Sequence, residues 1–225
     1  RQLGERYLAR RLLSGADLVT AVDPVVAAEA RRLGGRNVHV LPHFAADASP
    51  SPIVLPQDRV NIVHAGSIAL SDPETDIELL LQPFEAALRA NPKLLLHFVG
   101  RLTEHEQAAV SRVRPTEAVR LLGPRPLDEA MSYIAAADGL AFVGAPKMHV
   151  PPSKIVDYLQ AEAPIIACGF GPWRQDPRVL NLEDPAQAMA TLRRGAKRQA
   201  RLPVPPNASA SAQHLMGLMR AAAGD

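Results

Sequence analysis

A lysine and an aspartate set three positions apart, directly behind two prolines and a serine, are the residues best placed to handle a phosphorylated ligand. The stretch reads Pro151-Pro152-Ser153-Lys154-Ile155-Val156-Asp157-Tyr158. Two prolines stop any earlier helix, and a serine behind them is the residue type that caps a new one. A helix begun there offers unpaired backbone N–H groups and the positive end of its dipole to an anion. Lys154 at that end is unfavourable unless an anion is present, and Asp157 follows one turn later on nearly the same face. A phosphate contact followed by a sugar-hydroxyl contact is the chemistry this suggests. The plainer account is that Ser153 only caps, Lys154 is solvated and Asp157 merely favours the dipole. The residues alone leave both open.

Gly66 followed by Ser67 is a second candidate. A residue without Cβ lets a phosphate approach the backbone and a hydroxyl can donate to it, although a plain turn would use the same pair. Arg125, behind Gly123-Pro124, reads either as ligand-facing or as a surface arginine. No Asp-x-Asp motif adjoins the end of an apolar run and none of the seven histidines pairs with another at ligand spacing, so no metal is expected. His64 and His97 lie inside apolar runs and read as satisfied core residues. The cluster Arg193-Arg194-Gly195-Ala196-Lys197-Arg198 reads as a solvated helix end, the alternative being a contact with anionic lipid.

These residues need elements to position them. Short apolar runs at 60–65, 94–99, 119–122, 139–143 and 164–167, with a weaker one at 178–182, end in glycine or a turn residue. Most lack polar alternation, as parallel strands covered on both faces do. Between them, amphipathic helical periodicity occupies 77–90, 104–113, 127–137, 153–161 and 186–194. This alternation predicts an α/β fold with a doubly wound parallel sheet, whose ligands bind outside the carboxyl ends of the strands. Gly66, Gly100, Gly123, Gly144 and Gly169 all fall in the loops at those ends. Ahead of the sheet, helices at 3–13 and 24–33 and strands at 18–22 and 38–41 are too few to bury both faces of a sheet. Residues 1–45 therefore read as the remnant of a separate domain, 46–58 as a Pro/Ser/Asp-rich linker, 59–200 as the ligand-binding domain, and 201–225 as a tail with a final Ala/Leu/Met helix.

Composition narrows the classes. A chain of 225 residues buries one full core, or one domain and a piece of another. Its 47% apolar and 21% charged residues exclude disordered and collagen-like chains. A net charge of +2 and 4% aromatic residues provide neither a phosphate-backbone footprint nor base-stacking platforms, so nucleic acid is not an expected partner. The single Cys168 cannot form an intrachain disulfide, which suits a reducing compartment. No apolar stretch reaches the roughly 18 residues of a spanning helix. The basic stretch 1–11 lacks the apolar core of a signal peptide. A cytoplasmic protein is expected, peripheral at the inner face of the membrane if the 193–198 cluster touches lipid.

Several stretches, taken in order, resemble family 4-like glycosyltransferases. Ser153-Lys154-x-x-Asp157-Tyr158-Leu159 with Ala163-Pro164-Ile165-Ile166-Ala167 is similar to their Lys-x-x-Glu-Tyr…Pro-Val-Ile-Ala signature. Ala16-Asp17-Leu18-Val19 with Val38-His39-Val40-Leu41-Pro42-His43 resembles their domain junction, Ala-Asp-x-Val…Val-x-Val-Ile-Pro-Asn. Leu96-His97-Phe98-Val99-Gly100, Val119-Arg120-Leu121-Leu122-Gly123 and Tyr133-Ile134-Ala135-Ala136-Ala137-Asp138 resemble later pieces of their C-terminal domain. Two positions depart from the pattern: His149 stands where an acidic residue opens Glu-x7-Glu, and Ser67-Ile68-Ala69-Leu70 replaces the usual Arg and Lys after Gly66. The latter loop is similar to that of the xanthan glucuronosyltransferase branch.

The resemblance implies a Rossmann-like GT-B C-terminal domain with a partial N-terminal domain, acting in glycosyl transfer without metal or cofactor. The implied partners are a nucleoside diphosphate sugar, UDP-linked, and a glycan or lipid-linked acceptor. Asp157 would meet the ribose, Ser153 and Lys154 the diphosphate, and Arg125 the base, with Gly66, Ser67 and Ile68 completing the nucleotide contacts. Acceptor binding and any general base belong to the other domain of such enzymes, so the catalytic residues are unassigned and the chain is expected to transfer little sugar alone. A nucleotide-sugar epimerase of the same architecture and a non-catalytic binding domain are the alternatives.

Overall fold

Asp23-Pro24 shows how local chemistry sets the first elements. In the computed structural model, which describes residues 2–45, 47–71, 73–144, 153–169, 184–197 and 206–223, the chain opens with α1 (Gln2–Gly15), β1 (Val19–Ala21), α2 (Pro24–Arg32) and β2 (Val38–Val40). The Asp23 carboxylate accepts from the N–H of Val26 at 2.8 Å, and Pro24 occupies a position that has no helical N–H to lose. β1 and β2 pair in parallel from Val19 opposite Val38, and α2 covers them through Ala27 and Ala30. A C-terminal helix, Ala208–Ala223, belongs to the same unit. Asn207 bridges Ala45, and the Asp47 carboxylate accepts from the Ser209 N–H at 3.2 Å and its hydroxyl at 3.1 Å. This unit comprises Arg1–Asp47 with Pro205–Asp225, and the second comprises Ala48–Val204.

The second unit is built on β3 (Val60–Ala65), β4 (Leu94–Val99), β5 (Val119–Gly123), β6 (Gly139–Gly144) and β7 (Ile165–Gly169). They form one parallel sheet in the order β5-β4-β3-β6-β7. Every residue of β3, β4 and β6 is buried, which is why these runs lack polar alternation. Side chains still divide by face. Ile62, Leu96, Phe98, Ala141 and Ile166 pack with α3 (Glu78–Ala90), α4 (Glu104–Val110) and α7 (Pro185–Thr191). Val63, Leu140, Phe142 and Ile165 pack with α5 (Leu127–Ala136) and α6 (Lys154–Tyr158) on the other face. Leu55, within the stretch read as a linker, is buried against that second face. The expected doubly wound α/β architecture is what the chain adopts.

Three helices end well before their periodicity predicts: α4 stops at Val110 and not at 113, α7 stops at Thr191 and not at 194, and α6 differs at its cap as well. The periodicity predicts 153–161 with Ser153 as its cap, whereas α6 spans Lys154–Tyr158 and Ser153 makes no side-chain capping bond. A capping residue needs extended backbone to swing its hydroxyl back over the first turn, and Ser153 has φ −53° and ψ −33°, already helical. The run at 178–182 and His149 lie outside the described residues, as do Pro151 and Pro152.

Candidate functional site

The strand order reverses direction between β3 and β6, since the chain leaves β3 toward β4 and later returns to the opposite side with β6. Backbone pairing between these two is limited to Ile62 with Gly139 and Val63 with Leu140. Beyond it, side chains join the strands. His64 Nδ1 donates to the Ala141 carbonyl at 3.0 Å, and the Tyr158 hydroxyl donates to the same oxygen at 3.2 Å while accepting from the Ala65 N–H at 2.8 Å. Burial holds the Tyr158 hydroxyl protonated far above the ordinary phenol range, and keeps the His64 imidazole neutral, with the Lys154 charge adding to that effect. Tyr158 thus fastens α6 to the end of β3, one residue before Gly66.

Lys154 is four positions earlier on the same helix and turns onto the glycine turn. Its Nζ donates to the Ser67 carbonyl at 2.9 Å, and a Cβ placed on Gly66 would lie 3.6 Å from Nζ. Gly66 has φ +93°. Gly100 backs this turn so closely that a Cβ there would lie 2.5 Å from the Gly66 carbonyl oxygen. Burial lowers the Lys154 pKa from its ordinary value to about 8, with the charge of Glu106 opposing the shift. Glu106 is itself buried, and its two carboxylate oxygens accept from the N–H of Ala69 at 2.9 Å and of Thr103 at 2.6 Å. Thr103 returns a bond to the Glu106 N–H, completing a capping box on α4.

Gly66, Ser67 and Lys154 are therefore brought together at the switch point. Ser67 is half-buried, its hydroxyl 2.6 Å from that of Ser71. The Ile68 side chain enters the core, leaving its backbone as the part that could meet a ligand. Ser153 is exposed at the start of α6, and Asp157 is half-buried one turn further on. Arg125 stands apart, behind β5, where its Nε donates to the Leu122 carbonyl at 3.0 Å and its guanidinium pairs with Glu129 at 3.3 Å. Beside it a cleft of about 360 Å³ opens between the ends of β4 and β5, walled by Phe98, Gly100, Arg101, Leu121 and Pro124. Sequence reading overlooked Glu106 and the bridging role of Tyr158. The Thr103-x-x-Glu106 spacing was the available signal for the first.

His64 and His97 are buried as expected, but each has one ring nitrogen bonded and the other without a partner. In the basic cluster, Arg194 pairs with Asp138 and Lys197 with Glu162. Among the described residues no His/Cys/Asp/Glu group could hold a metal ion, and no helix is long and apolar enough to cross a membrane.

No family model matches the sequence, and no curated protein is similar to it in sequence. Solved structures do resemble it. S. aureus TarM, in complex with fondaparinux, α-GlcNAc-glycerol and UDP, superposes with a TM-score of 0.60 at 13% identity, covering 84% of this chain and 39% of TarM. Anabaena HepE in complex with UDP gives 0.59 at 16% identity, covering 97% of this chain and 68% of HepE. The pneumococcal O-GlcNAc transferase GtfA, with UDP and GlcNAc, gives 0.57 at 13% identity over 83% of this chain and 39% of GtfA. The fold is that of the GT-B glycosyltransferases. This GT-B chain spans about two-fifths of the length of TarM and GtfA and two-thirds of that of HepE.

Proposed function

We propose that the chain is the donor-binding part of a glycosyltransferase that takes its sugar from a nucleoside diphosphate sugar. One observation carries the reading: the cation bonded to the glycine turn at the switch point, among the described residues, is an ammonium with a neutral carbonyl as its partner. An anion arriving there would exchange a neutral acceptor for a charged one, which roughly doubles the strength of the hydrogen bond. The leaving group of glycosyl transfer is such an anion, and stabilising it as the anomeric bond breaks is half of the catalytic task. Ser153 and Lys154 would hold the diphosphate with the backbone of Gly66, Ser67 and Ile68, Asp157 would accept from the ribose hydroxyls, and Arg125 would flank the base. UDP is the favoured nucleotide because TarM, HepE and GtfA were each solved with it. The proposed acceptor is a glycan or a lipid-linked glycan, reached from the cytoplasmic side, and the proposed affinity is to family 4 or the xanthan glucuronosyltransferase branch.

Calorimetric titration of the chain with UDP, GDP and ADP tests this directly. Saturable binding of UDP in preference to the other two is expected. If none of the three binds, the reading is lost and a non-catalytic domain of this fold is left in its place.

A further inference from the structure

Glu106 is a carboxylate taken almost wholly out of water, at 2% exposure, in the first turn of α4. A buried charge is retained only where hydrogen bonds or an opposite charge compensate its lost hydration. Half of that compensation is the capping box with Thr103, an ordinary device of helix architecture. The other half is unusual. Its second oxygen crosses to the loop behind β3 and accepts from the Ala69 N–H at 2.9 Å, so the turn that begins at Gly66 is held from below by a side chain 37 residues away. Its charge also acts on Lys154, the cation lying on that same turn.

We propose that Glu106 is the positioning residue of the donor-diphosphate subsite, bracing the 66–69 turn through Ala69 and supplying the negative charge that faces Lys154. This rests on the donor-site reading above. The geometry makes Glu106 a partner to the turn and not to the ligand: both carboxylate oxygens are occupied by backbone N–H groups, so the arriving anion meets Lys154 and the turn, not the carboxylate.

The charged and titratable groups around Lys154 are few among the described residues. On β3, burial keeps His64 neutral and the Lys154 charge adds to that effect. On α4 there is Glu106, and on α6 itself Asp157, whose charge acts on Tyr158. Removing the Glu106 charge leaves burial of Lys154 unopposed, so its ammonium loses its proton at a lower pH. An anion binds the ammonium and not the amine, and binding therefore weakens as pH rises through the Lys154 titration. In Glu106→Gln, which keeps an acceptor for Ala69 but not the charge, that weakening begins at lower pH.

The experiment is calorimetric binding of UDP to the chain and to E106Q between pH 6.5 and 9.5, with thermal melts of both proteins. E106Q is expected to bind within about threefold of the unaltered chain at the lowest pH and about tenfold more weakly near pH 8, a gap of about 1.4 kcal/mol. A ratio that is the same at every pH, or no loss at all, overturns the proposal while leaving the donor site intact. Absence of UDP binding by the unaltered chain strikes the donor reading instead. Thr103→Ala separates helix capping from charge: it weakens α4 but keeps Glu106, and its UDP profile is expected to follow the unaltered chain. A T103A profile displaced like that of E106Q overturns the proposal. Should E106Q melt below the assay temperature, Lys154→Arg decides, because a guanidinium stays charged throughout. Its binding is expected to be flat with pH, and persistent weakening toward pH 9.5 overturns the proposal.

Discussion

Lys154 is a cation kept in poor solvent with a carbonyl for company, and most of what can be tested at the residue scale follows from it. Hydrogen bonds to a charged group contribute roughly 1.5–3 kcal/mol when both partners are fixed. Lys154→Ala should therefore weaken UDP binding on the order of 10- to 100-fold, and since the Ser67 carbonyl lies at a half-buried, water-accessible turn, the melting temperature should move little. Asp157 calls for a different readout because its proposed partner is a sugar hydroxyl. Asp157→Ala should weaken UDP by about tenfold, the worth of one charged hydrogen bond. The same substitution should change binding of 2′-deoxy-UDP much less, because that ligand lacks one of the hydroxyls. Equal losses for the two nucleotides in calorimetry would remove Asp157 from the ribose.

At the scale of elements, the switch point is made by two strands that stop pairing and a tyrosine that takes over. Tyr158→Phe deletes the hydroxyl that accepts from the Ala65 N–H and shares the Ala141 carbonyl with His64. A buried donor left without a partner costs about 1–3 kcal/mol. Urea unfolding of Y158F should show a loss in that range, with UDP affinity reduced as well because α6 carries Lys154. Undiminished stability would mean that the strands diverge without the tyrosine's help. How far these elements were legible varied with their cause. β3 and β4 were read to the residue, because short, mostly apolar runs ending in Gly66 and Gly100 leave few other structures open. Ser153 does stand directly before α6, at the position read as its cap, but it makes no capping bond because it has the right side chain for a cap and the wrong backbone for it, and φ and ψ are set by packing that a sequence does not display. Gly66, Ser67 and Lys154 were each singled out from the sequence, yet their meeting depends on β3 and β6 being neighbours, a matter of strand order. Glu106 escaped notice for the same reason: its bond to Ala69 spans 37 positions.

For the whole molecule, two buried histidines tie stability to pH. Burial, with the Arg120 charge in support, lowers the His97 pKa from its ordinary value to about 4, and His64 is held well below its ordinary range. In the unfolded chain both would take up protons near pH 6.5, so between that value and about 4 the unfolded state binds more protons than the native one. Their contribution to stability is thus complete above about pH 6.5 and is lost as pH falls toward 4. The urea midpoint should drop accordingly between pH 7 and pH 5. His97→Gln, whose amide can still donate to Asn61 as the imidazole Nε2 does at 3.0 Å, should reduce that drop. Activity is a separate matter at this scale. A chain that spans about two-fifths of TarM and GtfA carries the groups proposed for the leaving diphosphate, and three titratable groups at the switch point are already engaged: Glu106 is spent on backbone N–H groups, His64 donates through one nitrogen and buries the other, and Tyr158 bridges two strands, while Asp157 is proposed for the ribose. General-base assistance contributes about 10²- to 10⁴-fold to such steps. The chain on its own should therefore bind UDP yet release free sugar or glycosylated product from a UDP-sugar at a rate close to the uncatalysed one, measured by UDP liberation. Rapid multiple turnover by these 225 residues alone would show that the acceptor chemistry is contained within them.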